Sequence, residues 1–171
     1  MDVTFRIEPA RERDVPLILR LIKGLADYEK LAHEVRASEE GLRATLFGPN
    51  PAAEVVLAYV ASGSSRTSAD EPVGFALFFH NYSTFLGKRG LYLEDLFVVP
   101  EWRGRGAGRA LLTHLATLAA ERGCGRFEWA VLDWNEPAIT FYKKLGAQPM
   151  HEWTVFRVTG DALATLAAKT S

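Results

Sequence analysis

Along residues 3–10, VTFRIEPA, apolar and polar side chains alternate so that Val3, Phe5 and Ile7 share one side, the period of a half-buried strand. The period then changes. In DVPLILRLIKGLADYEKL (14–31), Ile18, Leu21, Ile22, Leu25 and Tyr28 recur three and four residues apart, so the spacing predicts a helix with one apolar stripe. Asp14 can cap its start, and Pro16 is tolerated in the first turn. Ser38 can cap a second helix, EEGLRATLF (39–47), that stops near Gly48 and Pro49. Strands are predicted for EVVLAYVA (54–61), PVGFALFFH (72–80), LYLEDLFVV (91–99), RFEWAVLD (126–133) and HEWTVFRVT (151–159). The first two of these read as a hairpin around the polar loop SGSSRTSADE (62–71).

A third helix, RALLTHLATLAAERG (109–123), places Leu111, Leu112, Leu115, Leu118 and Ala119 on one stripe. A fourth, NEPAITFYKKLG (135–146), has Asn135 as cap, Pro137 in the first turn and Gly146 at the stop. DALATLAAKT (161–170) is a terminal helix or tail. No repeat or linker divides residues 1–171, so one domain is expected. The element order predicts the α/β class: a mixed, mostly antiparallel central sheet flanked by helices, with at least one parallel crossover.

Composition narrows the function. The chain of 171 residues is 48% hydrophobic and 24% charged, the balance of a globular domain with a full core. Its net charge of -1 speaks against a general nucleic-acid binder. No apolar run has the length of a membrane span, and MDVTFRIEPA lacks the basic start and apolar middle of a signal peptide. The single cysteine, Cys124, excludes an internal disulfide framework and suits a reducing cytoplasm, the expected location. His33, His80, His114 and His151 fall in different elements with no metal-site spacing, so no metal is expected.

The candidate chemistry lies in PEWRGRGAGRALL (100–112), between a predicted strand and a predicted helix. A helix start leaves N–H groups unpaired and carries partial positive charge, which attracts phosphate. Glycines let phosphate oxygens approach the backbone, and arginines add forked donors. Neither the Walker A spacing nor the dinucleotide G-x-G-x-x-G is present, since position 109 is Arg109. What matches is R-x-x-G-x-G, as Arg103, Gly106 and Gly108.

That motif in that place resembles the coenzyme A diphosphate loop of the GNAT superfamily of N-acetyltransferases, and the element order fits the family over nearly the whole chain. N-x-x-A-x-x-F-Y-x-x-x-G-A is matched by Asn135, Ala138, Phe141, Tyr142, Gly146 and Ala147. The resemblance implies a GNAT-like acyl-CoA N-acyltransferase fold with acetyl-CoA as cosubstrate. Arg103, Gly104, Arg105, Gly106, Ala107, Gly108 and Arg109 would form the diphosphate loop. Asn135 and Ala138 belong to the second matched segment, with Asn135 near the pantetheine arm. Leu96, Phe97 and Val98, after an expected strand bulge, would pair with that arm through their backbones, one N–H also holding the thioester oxygen. Tyr142 would stand beside the thioester sulfur. Next to Phe141 it reads, by itself, as a core residue; the matched segment reverses that reading. A phenol, with a reference pKa of about 10, can donate to a departing thiolate without being ionised at neutral pH.

Within the superfamily, LRLIKGLADYEKL, GKRGLYLEDLFVVPEWRGRGAG and DWNEPAITFYKKLGA are similar to the spermidine/spermine (diamine) and thialysine N-epsilon-acetyltransferase branch. By that match Tyr28, Glu29, Glu94 and, more weakly, Glu152 would line the acceptor site, with Glu94 drawing a proton from the amine through water. Asp95 and Asp133 would extend the acidic cluster. Ser83 and Phe85 depart from the polyamine pattern, which favours lysine-like amines or shorter diamines. The expected partner is a small-molecule amine, and the branch implies a homodimer. The alternative activities are acetylation of protein or peptide lysines or N-termini, and non-catalytic coenzyme A sensing.

Overall fold

Five strands form one sheet in the order β1 (Phe5–Pro9), β2 (Glu54–Val60), β3 (Gly74–Ser83), β4 (Lys88–Val98) and β5 (Phe127–Trp129). The first three pairings are antiparallel and β4–β5 is parallel, the mixed sheet that the element order predicts. The computed structural model describes residues 3–61 and 71–168. The predicted loop at 62–71 therefore lies, except for Glu71, outside the described residues. The chain divides into two compact units, Met1–Ala130 and Val131–Ser171.

In the first unit, helices α1 (Val15–Tyr28) and α2 (Glu39–Phe47) precede β2. Ile18 and Leu21 of α1 and Leu46 of α2 pack with Val55, Leu57, Tyr59, Phe75 and Phe97 into one buried cluster. Each large side chain so buried contributes about 1.5–3 kcal/mol. Val55 to Tyr59 are all buried, on both faces of β2. A strand covered on both sides reads as a continuous apolar run rather than an alternation. The crossover helix α3 (Ala107–Glu121) buries Leu111, Leu112, Leu115 and Ala119 of its predicted stripe.

Three local readings change. Asp14 is buried, but its carboxylate accepts from the N–H of Arg11 at 2.8 Å rather than from an N–H of α1. The β3–β4 hairpin runs past its apolar pattern into Asn81–Ser83 and Lys88–Gly90, because a ladder is held by backbone bonds and tolerates polar side chains at its end. Strand β5 covers only Phe127–Trp129 of the predicted 126–133.

In the second unit, Asn135 caps α4 (Glu136–Lys144) by accepting from Ala138 N–H at 3.4 Å. The helix ends at Gly146, whose N–H donates to Lys143 O at 3.0 Å while Ala147 N–H donates to Tyr142 O at 3.2 Å. The predicted strand at 151–159 is not formed. Its β-branched and aromatic residues suit a strand, but a strand exists only where another strand completes its hydrogen bonds, and none pairs with it among the described residues. Trp153, Val155 and Phe156 are left 71%, 83% and 91% exposed. A last helix, α5 (Gly160–Ala168), follows.

Candidate active site

Strand β4 is eleven residues long and β5 three. Their pairing covers Leu91↔Phe127, Tyr92↔Glu128 and Leu93↔Trp129, and no strand pairs with β4 on that side beyond Leu93 among the described residues. On the other side β4 stays paired to β3, but the register passes from Leu77↔Asp95 to Phe78↔Leu93. Glu94 is the extra residue of that bulge. The bulge thus falls where the β5 pairing stops, and residues 94–98 present an open backbone edge.

The edge has a direction. A Cβ placed on Gly74 would sit 2.6 Å from Phe97 O, and Val99 N–H donates to Val73 O at 2.9 Å, so the polar groups of Phe97 and Val99 face β3. Alternation then turns those of Leu96 and Val98 to the open side. Of the three backbones expected to meet an extended ligand, Leu96 and the N–H of Val98 are presented to it, the Val98 carbonyl being taken by Arg103 Nε at 2.9 Å. Phe97 instead anchors the strand: its ring is buried against α1, where a Cβ on Gly24 would meet it at 3.0 Å.

Beyond this edge the chain turns through Pro100–Trp102 and the glycines into α3. Gly104 and Gly106 have φ of 72° and 97°, conformations that a side chain disfavours. Gly106 caps α3 without any side-chain hydrogen bond, and the first turn contains no acid. Such a helix start, with unpaired N–H groups and no nearby acid, has the electrostatics that suit an anion. Arg105 stacks over Trp102 at 5.0 Å, and Arg109 is exposed on the first turn. Arg103 folds back: its Nε donates to Val98 O at 2.9 Å, and its guanidinium lies 4.2 Å from the centre of the Tyr28 ring.

The acids gather beside the bulge. Asp95 and Phe97 share a face of β4, the one covered by α1. Glu29, at the C-terminal cap of α1, is drawn toward the neutral form by burial. Burial pushes the Asp95 carboxyl up to about 6, helped by the charges of Glu94 and Glu29. Lys30, next to Glu29, holds φ of 61° without being glycine, which costs about 1 kcal/mol. The strained residue fixes the last turn of α1 by donating to Asp27 O, with Leu31 N–H donating to Ala26 O. A cavity of about 660 Å³ beside Gly24, Phe97 and Trp102 is lined by none of Glu29, Glu94 and Asp95; its own acids are Glu71, which pairs with Arg20, and Glu101.

In the second unit Tyr142 is half-buried on α4, its ring 5.5 Å from that of Phe141. Asn135 is buried, and its Oδ1 serves the Ala138 N–H. Glu152 is exposed in a turn rather than on a strand.

The model of the acetyltransferase (GNAT) family matches residues 25–147. The chain belongs to the GNAT family of acetyltransferases. It is 42% identical to the thialysine N-epsilon-acetyltransferase of Mus musculus, across 96% of this chain and 98% of that one. It is 37% identical to the L-ornithine N5-acetyltransferase of Arabidopsis thaliana, across 94% and 87%. Among solved structures, an integron cassette protein of Vibrio cholerae superposes with a TM-score of 0.76 at 27% identity, covering 98% of both chains. The chain is an acetyltransferase acting on an amine, as its sequence motifs imply.

Within this GNAT site the bulge falls just before Leu96, where the resemblance implied one, whereas the orientation of Phe97 and the strain at Lys30 escaped the sequence reading. Only Lys30 left a trace there, as a helix end with no glycine to close it. The raised Asp95 has a thermodynamic consequence. Because the folded chain holds this proton more tightly, Asp95 contributes stability below its ordinary value near 3.8 and loses it as pH rises through about 6. Asp95→Asn should therefore stabilise the protein at pH 7 by up to about 3 kcal/mol. In urea titrations its advantage should grow between pH 4 and 6 and stay level above 7; an advantage independent of pH would contradict the assigned burial.

Proposed function

We propose that this N-acetyltransferase takes its acetyl group from acetyl-CoA and passes it to the primary amine of a small cationic acceptor, lysine-like or a short diamine, by direct attack in a ternary complex. The observation that carries the reading is the open edge of β4 running straight into the uncapped, arginine-bearing start of α3. An extended amide-containing arm suits the first, and a diphosphate suits the second. The residues fit the group: a Cβ at Gly104 would meet nothing within 4 Å, so the turn is open to phosphate oxygens.

Bound acetyl-CoA supplies an activated acyl group with a thiolate as leaving group. The chain's own residues do the rest. Leu96 and Val98 hold the pantetheine arm, and an N–H of this edge donates to the thioester oxygen as negative charge gathers there. A primary amine, with a pKa of about 10.4, arrives protonated. Glu29 and Asp95 attract it, and Glu94, at the bulge, takes its proton through water. The phenol of Tyr142 donates to the departing sulfur. Cys124 is the single thiol of the chain and is assigned no part, so no acyl-enzyme is formed. The relatives are named for thialysine and for L-ornithine, amino acids whose side chains end in a primary amine. That supports an acceptor of the same kind here.

We also propose that the chain self-associates through the apolar stretch Trp153–Val158, where Trp153, Val155, Phe156 and Val158 are exposed. Large exposed apolar patches mark interaction surfaces. Sedimentation should show a dimer for the wild type and a lighter species for Phe156→Asp; a monomeric wild type would refute the pairing.

The activity is tested by thiol release from acetyl-CoA over an amine panel. Thialysine, lysine-like amines and short diamines should exceed spermidine, whereas a large preference for spermidine would refute the narrowing. Tyr142→Phe should lower kcat roughly 100-fold. Turnover within a few-fold of wild type across pH would remove Tyr142 from its role.

A further inference from the structure

Arg103 belongs to the phosphate motif by sequence, yet its side chain is engaged elsewhere. Its Nε donates to the Val98 carbonyl at 2.9 Å, and its guanidinium lies 4.2 Å from the Tyr28 ring centre and 5.4 Å from that of Phe97. Three anchors from two elements, the end of β4 and the last turn of α1, hold one side chain on the surface. A guanidinium suits such a place because it is planar, weakly hydrated and forked, so it can stack on a ring and donate in its own plane at once. An ammonium cannot do both.

The Tyr28 end of this contact adjoins the acids. Tyr28 is the last residue of α1 and Glu29 its cap. The direction of the Glu29 carboxylate follows from how that final turn is held. The Arg103 end adjoins the turn, where Arg105 over Trp102 and Arg109 on α3 remain for phosphate.

We propose that Arg103 is a positioning residue for the acceptor: it ties the phosphate turn to Tyr28 and covers the face of that ring, leaving the incoming ammonium to Glu29 and Asp95. The inference rests on acetyl transfer to a small amine as proposed above. It changes the part played by Tyr28, whose ring supports Arg103 and the end of α1 rather than stacking on the acceptor's cation. It also gives the turn a mechanical link to the amine: whatever settles the turn settles Glu29.

The test is a double-mutant cycle on Arg103→Lys and Tyr28→Leu. It is read as the unfolding midpoint of the ligand-free protein, the affinity for coenzyme A by calorimetry, and KM and kcat for thialysine. Lysine keeps the charge for phosphate and lacks the planar fork. Arg103→Lys should stay within about threefold of wild type in coenzyme A affinity. Its KM for thialysine should rise roughly 3- to 10-fold, a change the size of one lost stacking contact, with kcat altered less. The double variant should be no worse than the poorer single one in KM and in unfolding midpoint, since both changes break the same contact. Additive effects, or a loss confined to coenzyme A affinity with KM unchanged, would overturn the proposal. If the wild type binds coenzyme A and acetylates thialysine while the cycle is additive, only this inference falls. If the wild type does neither, the parent reading falls with it.

Discussion

The unpaired edge of β4 is the constraint on which the rest depends. A strand with free N–H and C=O groups invites association, and proteins ordinarily cover or blunt such an edge. Here the pairing with β5 stops at Leu93, and the bulge at Glu94 sits where it stops. The exposed groups that follow belong to a short run, Glu94–Val98, bounded by the glycine turn. An edge this short is a poor template for another sheet and a good length for one extended ligand.

The first unit is organised to hold that edge still. Phe97 gives its ring to the core and its carbonyl to β3, so the strand cannot slide or rotate without disturbing α1. Gly74 and Gly24 allow that close fit on either side of Phe97. The same immobility places charge. Asp95, one pleat before Phe97, shares its face and is held near two other carboxylates. The folded state tolerates this repulsion by keeping the Asp95 proton longer than water would. Such a cluster is costly for an unliganded chain and favourable for one that binds a cation.

Much of the fold was legible from periodicity. The stripes of α1 and α3, the caps Ser38 and Asn135, and the stop at Gly146 follow from local chemistry that needs no tertiary partner. The glycine turn before α3 was legible because positive-φ glycines at particular spacings mark it in the sequence. What escaped was non-local. The bulge was expected only through the family resemblance, since the register between β3 and β4 that sets it is not written in Glu94 and Asp95 themselves. The strand expected at 151–159 has strand-forming residues and, among the described residues, no strand pairs with it. Arg103 reads as a phosphate ligand in sequence because nothing in R-x-x-G-x-G says that Tyr28, far earlier in the chain, will offer it a ring.

The central claim is that one continuous track, from the β4 edge to the start of α3, receives coenzyme A. A crystal structure of the protein with coenzyme A tests it most directly. The account predicts the pantetheine arm hydrogen-bonded to the backbones of Leu96 and Val98, with the diphosphate on the N–H groups around Gly106–Arg109. A ligand bound with its diphosphate away from that turn, or with β4 closed by another strand, would contradict it.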